Sequence, residues 1–411
     1  MKKVKFGIVG LGNRGFSMLK NNYINFDEVE FVAVCDEYQD RVDQAADFIK
    51  EHRGERPFGT VNYKDMLGME LDAVYVSTAW ESHVMISIDF LKAGIAVAME
   101  VGGAYSIDEL FELVRTQETT GTPFMFMENC CYDKYELFAT AMARAGKFGT
   151  IVHCAGCYGH DLRHEITHGN IKRHYRLRNY THRNCENYPT HELGPIAKLL
   201  NINRGNRMLS LVSVASKAAG LKEYVAEHPE LVEEDPTLAN REFMQGDMVT
   251  TIIKCAHGET ITLRLDTTLP RSYSREFTVR GTKGMYEMNT NTVFLDGEEE
   301  LWEPAKYYAK EMNNGVKYEK EFMPDMWLNL TEEQKKSGHG GMDGFLFRTF
   351  LDCLTEGKEM PIDVYDAAAW MSISALSEAS IANNGMPQQI PDFTNGKWVI
   401  RQPRDVMNLK K

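Results

Sequence analysis

VKFGIVGLGNRG, residues 4–15, is the stretch whose reading decides the fold. A short apolar strand, Val4 to Val9, runs into Gly10-x-Gly12-x-x-Gly15, and a helical segment over 16–20 follows. That order suits a dinucleotide: Gly10 for the tight turn, Gly12 for bare backbone beside a pyrophosphate, Gly15 for close packing of helix on strand. The N–H groups of the helix start, with Asn13 and Arg14 beside them, then face the phosphates. A second strand, Val29 to Cys35, ends in Asp36, about 20 residues beyond the last glycine, the spacing of a carboxylate that accepts from the ribose hydroxyls. Asp36 repels a 2′-phosphate, and Glu37 stands where an arginine would suit NADP, so NAD is the expected cofactor.

Further β-rich runs at 73–77, 96–99 and 124–127 alternate with helical ones, the pattern of a parallel sheet with crossover helices. Ser106 followed by Glu109 forms a capping box at the start of one of those helices. Ligands of such sheets bind beyond the carboxyl ends of the strands. The loops there hold Thr78, Trp80 and His83, then Glu100, then Glu128 and Asn129. Thr78, Trp80, His83, Glu100 and Asn129 are therefore candidate cofactor residues, Trp80 as a cover for the nicotinamide and Glu100 as a contact to ribose or substrate. Packing is the alternative role for Trp80 and His83.

Beyond residue 128 the character changes. After a helix over 134–145 come β-like runs at 150–158, 208–216, 248–255, 260–267, 277–280 and 293–295, with a hairpin signal at Asp296-Gly297. The fold class is thus α/β: an N-terminal Rossmann doubly wound parallel sheet over 1–128, then an α+β domain over 129–411 with an open, mostly antiparallel sheet. The acidic stretch 223–242 reads as a surface excursion, 363–383 as a long amphipathic helix, and 387–391 and 396–399 as loops.

A length of 411 residues allows two cores, and a formal net charge of −13 disfavours nucleic acid and anionic membranes as partners. No signal segment precedes the first strand and no apolar run reaches membrane-spanning length, so a cytoplasmic location is expected. The eight cysteines suit a reducing compartment; Cys154 and Cys157 on one strand point to opposite faces and read as core residues. An open sheet face also offers a surface for a homo-oligomer.

Seven of the twelve histidines fall between His153 and His191, among Tyr158, Asp161, Arg163, Tyr175, Arg176, Arg178, Tyr180 and Tyr188. So many donors and acceptors are poor core material but suit a small molecule rich in hydroxyls, a sugar. Tyr158 and His160 share a strand face, and Tyr188-Pro189-Thr190-His191 opens a helix over 193–200. The spacings contain no HExxH and no paired Cys/His set, so no metal site is expected. His164, His168, His174 and His182 read as surface residues.

The whole chain resembles the glucose–fructose oxidoreductase, inositol dehydrogenase and rhizopine-catabolism (Gfo/Idh/MocA) superfamily, and within it the NAD-dependent α-N-acetylgalactosaminidases of glycoside hydrolase family 109. The strings that carry this are GLGNRG, STAWESH, MEVGGA, MENCCY, YGHDLR, YRLRNYTHRNCENYPTHELGPIAKLLNINRG, RSYSR, GTKG, HGGMD and DVYDAAAW. Superfamily dehydrogenases carry Glu-Lys-Pro where this chain has Glu100-Val101-Gly102, and an Asp four residues before the catalytic His where it has Asn187. The resemblance implies a glycosidase that oxidises the sugar at C3, eliminates the aglycone after loss of the C2 proton, adds water and returns the hydride, with no net redox. It implies His191 at the C3 hydroxyl, Tyr158 as the C2 base with its pKa lowered by Arg163 or Arg176, and Tyr188, Arg176 and Tyr273 around the sugar. His339 and Asp343 are secondary candidates, and Glu100 is shared between substrate and cofactor. An NAD-dependent sugar or polyol dehydrogenase is the rival reading, and a binding protein without turnover the third.

Overall fold

A computed structural model describes residues 3–298, 302–332 and 334–409. They form two compact units: Met1–Asn129 with Leu330–Ala368, and Cys130–Asn329 with Ala369–Lys411.

The first unit is built on six parallel strands: β1 (Val4–Val9), β2 (Val29–Cys35), β3 (Phe58–Thr60), β4 (Ala73–Val76), β5 (Ala96–Met99) and β6 (Phe124–Phe126), in the order β3-β2-β1-β4-β5-β6. Strands covered on both faces are apolar throughout rather than alternating, as Ala73–Val76 and Ala96–Met99 are. Strand order reverses between β1 and β4, so the glycine turn leaves the sheet at the crevice where such folds bind ligands. The edge strand β3 carries too short a run to be read from sequence.

Residues 330–368 return to this unit, which the single cut at 128/129 did not anticipate. The helix Met342–Glu356 carries Phe347 to ring-centroid distances of 5.5, 4.1 and 4.9 Å from Phe6, Tyr23 and Phe26. Burying those aromatic rings together is what draws the segment back.

The second unit holds an eight-stranded sheet: β7 (Ile151–Gly159), β8 (Met208–Ala215), β9 (Met248–Cys255), β10 (Thr260–Asp266), β11 (Thr278–Gly281), β12 (Gly284–Glu287), β13 (Thr292–Leu295) and β14 (Gln388–Gln389), in the order β13-β12-β11-β7-β10-β9-β8-β14. β7 and β10 run parallel; the other named pairs are antiparallel. Alternation sets its faces: Val249, Thr251, Ile253 and Cys255 are buried, while Ile252 and Lys254 are exposed. The chain after Asp296-Gly297 enters residues 299–301, outside the described residues.

The helix Thr190–Leu199 lies on β7 at Gly156, where a Cβ would stand 2.7 Å from that of Glu192. The helix expected over 363–383 is Val364–Ala382, and it is buried rather than amphipathic: Trp370, Met371 and Ile373 are inside, and so are Ser372, Ser374, Ser377 and Ser380. Short hydroxyls satisfied by nearby carbonyls let a polar-looking helix be buried, as Ser372 on Ala369 O and Ser377 on Ser374 O do. All eight cysteines are buried thiols, and burial pushes those of Cys35, Cys157, Cys185 and Cys255 up to about 12. Among the described residues no helix is long and apolar enough to cross a membrane.

Candidate active site

In the first unit the three glycines each meet a steric demand. Gly10 has φ +94°, and a Cβ on it would lie 2.5 Å from the Ser77 carbonyl oxygen; one on Gly15 would collide with the Gly10 carbonyl. At Gly12 a Cβ would meet only the Arg41 Nη1 at 3.6 Å, so this side of the turn is open. Asn13, exposed, starts the helix Asn13–Asn21. Asp36 is buried at the end of β2 and accepts the Leu11 N–H at 2.7 Å and the Tyr38 N–H at 3.1 Å. Open backbone at Gly12, a helix N-terminus and a ribose-directed carboxylate are the features a dinucleotide requires, and this unit fits one.

Three other residues expected at the cofactor, Arg14, Glu100 and Asn129, are joined to one another directly or through Asp343. Arg14 donates from Nε to Glu100 Oε1 (2.8 Å) and from Nη1 and Nη2 to Asp343 (2.8 and 3.0 Å). Tyr75 OH donates to the same Glu100 oxygen at 2.7 Å, and the Val101 N–H to Oε2 at 3.1 Å. Asn129 Nδ2 donates to Asp343 Oδ1 at 2.9 Å, and His339 Nδ1 lies 2.8 Å from Asp343 Oδ2. Burial works against the Asp343 carboxylate, yet Arg14 and His339 hold it well below the usual range. Glu100 and His339, expected to touch substrate, are thus joined through Arg14 and Asp343 in one charge network; a carboxylate this buried is held where cations and donors meet it.

Trp80 and His83 stand in the first turn of the helix Trp80–Lys92, and both side chains are buried, at 1% and 0% exposure, in keeping with the packing alternative. A Cβ on Gly102 would collide with the Trp80 ring and stand 2.7 Å from His83 Cε1. The residue that replaces proline in Glu-Lys-Pro is therefore glycine because two rings fill its space. Burial holds His83 down at about 4, so its imidazole is neutral, and its ring nitrogens have no hydrogen-bond partner among the described residues. Thr78 is half-buried and accepts from Ser82 Oγ at 3.1 Å.

The second unit gathers most of the sugar-directed candidates. The Tyr158 and Tyr188 rings are 4.6 Å apart, and His191 lies 5.6 Å from the first and 4.8 Å from the second. The Arg176 guanidinium sits 5.0 Å over the Tyr188 ring and is paired with Glu165 at 2.6 Å. Tyr158 OH is 3.3 Å from His160 Nδ1, and the His160 ring is 5.2 Å from Tyr273. Tyr273, half exposed, accepts from Arg275 Nη1 at 3.0 Å, while Arg275 is itself fixed by Glu136 and Asp133 at 3.0 Å each.

The loop before His191 is clamped from behind. Ser377 Oγ accepts the Glu186 N–H at 2.8 Å, Ser374 Oγ donates to the Glu186 carbonyl at 2.7 Å, and Gln245 Oε1 accepts from Asn187 Nδ2 at 3.1 Å. Asn187, standing where related dehydrogenases have Asp, therefore serves the loop. Glu186 and Glu192 are both buried, and burial raises the Glu186 carboxyl well above its usual range, so that it favours its neutral form.

The expected activation of Tyr158 is not found. Burial raises its phenol far above the ordinary value, and Arg176 pulls it only part of the way back. Arg163 instead pairs with Asp161 at 2.7 Å and lies over Tyr224. Burial and then Arg176 lower His160, so a neutral imidazole faces the Tyr158 hydroxyl. Sequence reasoning missed Glu165, Glu186 and Glu192, because a lone Glu carries no local sign that its partner lies elsewhere in the chain. His164 and His168 stack on each other at 4.0 Å, and His153 bonds Thr260 at 2.9 Å, apart from this cluster.

Residues 132–400 match the family described as glycosyl hydrolase 109, C-terminal domain, and residues 4–127 match the oxidoreductase family, NAD-binding Rossmann fold. The chain belongs to glycosyl hydrolase family 109. A family 109 protein of Parabacteroides distasonis is 36% identical, with 98% of this chain and 89% of that protein covered. A protein of Tannerella forsythia named alpha-N-acetylgalactosaminidase is 35% identical, covering 97% and 88%. Among solved structures, the myo-inositol 2-dehydrogenase of Lactobacillus plantarum matches with a TM-score of 0.64 at 17% identity, covering 95% of this chain and all (100%) of that one. The scyllo-inositol dehydrogenase of Lactobacillus casei with bound NAD(H) and scyllo-inositol gives 0.63 at 14%, covering 95% and 99%. At such identities these two establish the shared fold, and family 109 membership makes the chain an enzyme of the glycoside hydrolase kind with an NAD-binding Rossmann domain.

Proposed function

We propose that this family 109 enzyme hydrolyses α-N-acetylgalactosaminides with NAD held throughout and no net redox. The observation that carries the reading is the packing of Tyr158, Tyr188 and His191 within 5.6 Å of one another under Arg176, with no lysine after Glu100. Gly10, Gly12, Gly15 and Asp36 would hold the NAD, which when bound supplies reversible oxidation at the sugar's C3.

The remaining steps fall to the chain's own side chains. His191 takes the proton of the C3 hydroxyl as that carbon is oxidised. Tyr158 then receives the acidified C2 proton on its oxygen while its own proton passes toward His160 Nδ1, so no free tyrosinate is needed. Loss of the C2 proton expels the aglycone from C1, its oxygen taking a proton from water; water then adds across the C1–C2 double bond, hydroxyl to C1 and proton to C2, and His191 gives its proton back to O3 as C3 returns to the alcohol. Arg176 and Tyr188 orient the ring, with Tyr273 beside His160. No carboxylate pair flanking the glycosidic bond is required, in contrast to ordinary glycosidases.

The test is stoichiometric. An aryl α-N-acetylgalactosaminide should release aglycone over many turnovers with no rise in reduced-nicotinamide absorbance, and His191→Ala should abolish turnover while leaving NAD bound. Reduction of NAD by free sugars, without glycoside cleavage, would make the protein a dehydrogenase.

A further inference from the structure

Beside Asp36 lies a cation that the chain's preference for NAD does not need. Arg41 Nη1 is 3.6 Å from Asp36 Oδ1, its guanidinium lies 4.8 Å over the Tyr38 ring, and the same Nη1 is the atom 3.6 Å from where a Cβ on Gly12 would be. The arginine therefore borders both the ribose-directed carboxylate and the open glycine turn. An arginine fork suits a phosphate in two-point geometry, and one stacked on a ring is already positioned to receive it. Asp36 neutralises that fork and adds its own repulsion toward a second dianion.

We propose that Arg41 is a masked receptor for a ribose 2′-phosphate, and that the carboxylate of Asp36 beside it is what holds the site to the dinucleotide lacking that phosphate. The inference rests on the reading that the first unit binds NAD. It makes Arg41 the specificity-determining residue once Asp36 is uncharged. Asp36→Asn keeps an oxygen for the Leu11 N–H, and Asp36→Ser is a smaller alternative should the amide turn the wrong way.

Calorimetric titration of NADH and NADPH into wild type, Asp36→Asn, Asp36→Ser and each of these with Arg41→Met tests this without turnover. Wild type should bind NADH and show NADPH weaker by about 100-fold or more; at least one Asp36 variant should bring the two within about tenfold, and Arg41→Met should take that gain away. NADPH binding that survives Arg41→Met, or that neither Asp36 variant improves, overturns the proposal. Wild type that binds neither nucleotide overturns the underlying NAD reading, a failure distinct from that of Arg41.

Discussion

Arg14 and Asp343, 329 positions apart, meet in a two-point ion pair of 2.8 and 3.0 Å, and the same guanidinium donates to Glu100 at 2.8 Å. This contact ties the glycine turn to the returning segment of the first unit. Arg14→Ala leaves two buried carboxylates facing each other and should destabilise the unit by about 3–5 kcal/mol, read as a lower urea midpoint. The Asp343 pKa is depressed by folding, so its contribution is present above the unfolded carboxyl value of about 4 and is lost as pH falls through the folded one. Acid unfolding of wild type should therefore steepen below about pH 4, and Asp343→Asn should flatten that limb.

Gly102 has no space for a side chain against Trp80 and His83. Gly102→Ala should cost about 1–3 kcal/mol by forcing those rings aside, with an altered tryptophan emission maximum as the reporter. Unchanged emission and stability would mean that the rings give way freely.

Glu186 provides the opposite pH signature. Its folded pKa is raised by burial, so its contribution is most favourable below the unfolded value of about 4.3 and is lost as pH rises through the folded one. Wild-type Tm should fall between about pH 5 and 8, and Glu186→Gln should reduce that fall. Equal slopes for the two proteins would show that the proton is not held there.

The first unit was largely legible because each of its glycines and Asp36 acts within its own turn, where spacing alone carries the information. The second sheet was legible as a succession of β-rich runs, β9 and β10 among them, with few helices between. What escaped were long-range partners: Phe347 on Phe6, Glu165 on Arg176, and the serines of Val364–Ala382 behind Glu186. Each of those residues is ordinary in its local context. Arg14, Trp80 and His83 lie in the first turns of helices that leave the sheet, and Glu100 and Asn129 just beyond strand ends; their side chains meet protein groups, a choice set by packing that no local sequence states. The Tyr158 pKa was misjudged because a neighbouring arginine is visible in sequence and the burial that outweighs it is not.

Tyr158→Phe removes the hydroxyl that faces His160 at 3.3 Å. Turnover should drop by about 10²–10⁴-fold with NADH affinity unchanged, the range expected for loss of a proton-transfer group. His160→Asn should lower kcat less and shift the pH profile of kcat, leaving KM nearly unchanged; a change in KM alone would assign His160 to sugar binding.

The central claim is that the sugar's C2 proton leaves during glycoside cleavage. Turnover of an aryl α-N-acetylgalactosaminide in heavy water, followed by proton NMR of the released sugar, measures this directly. The account predicts deuterium at C2 in every product molecule, with aglycone released and no reduced nicotinamide accumulating. Product that keeps its full C2 proton signal while aglycone is released would contradict it.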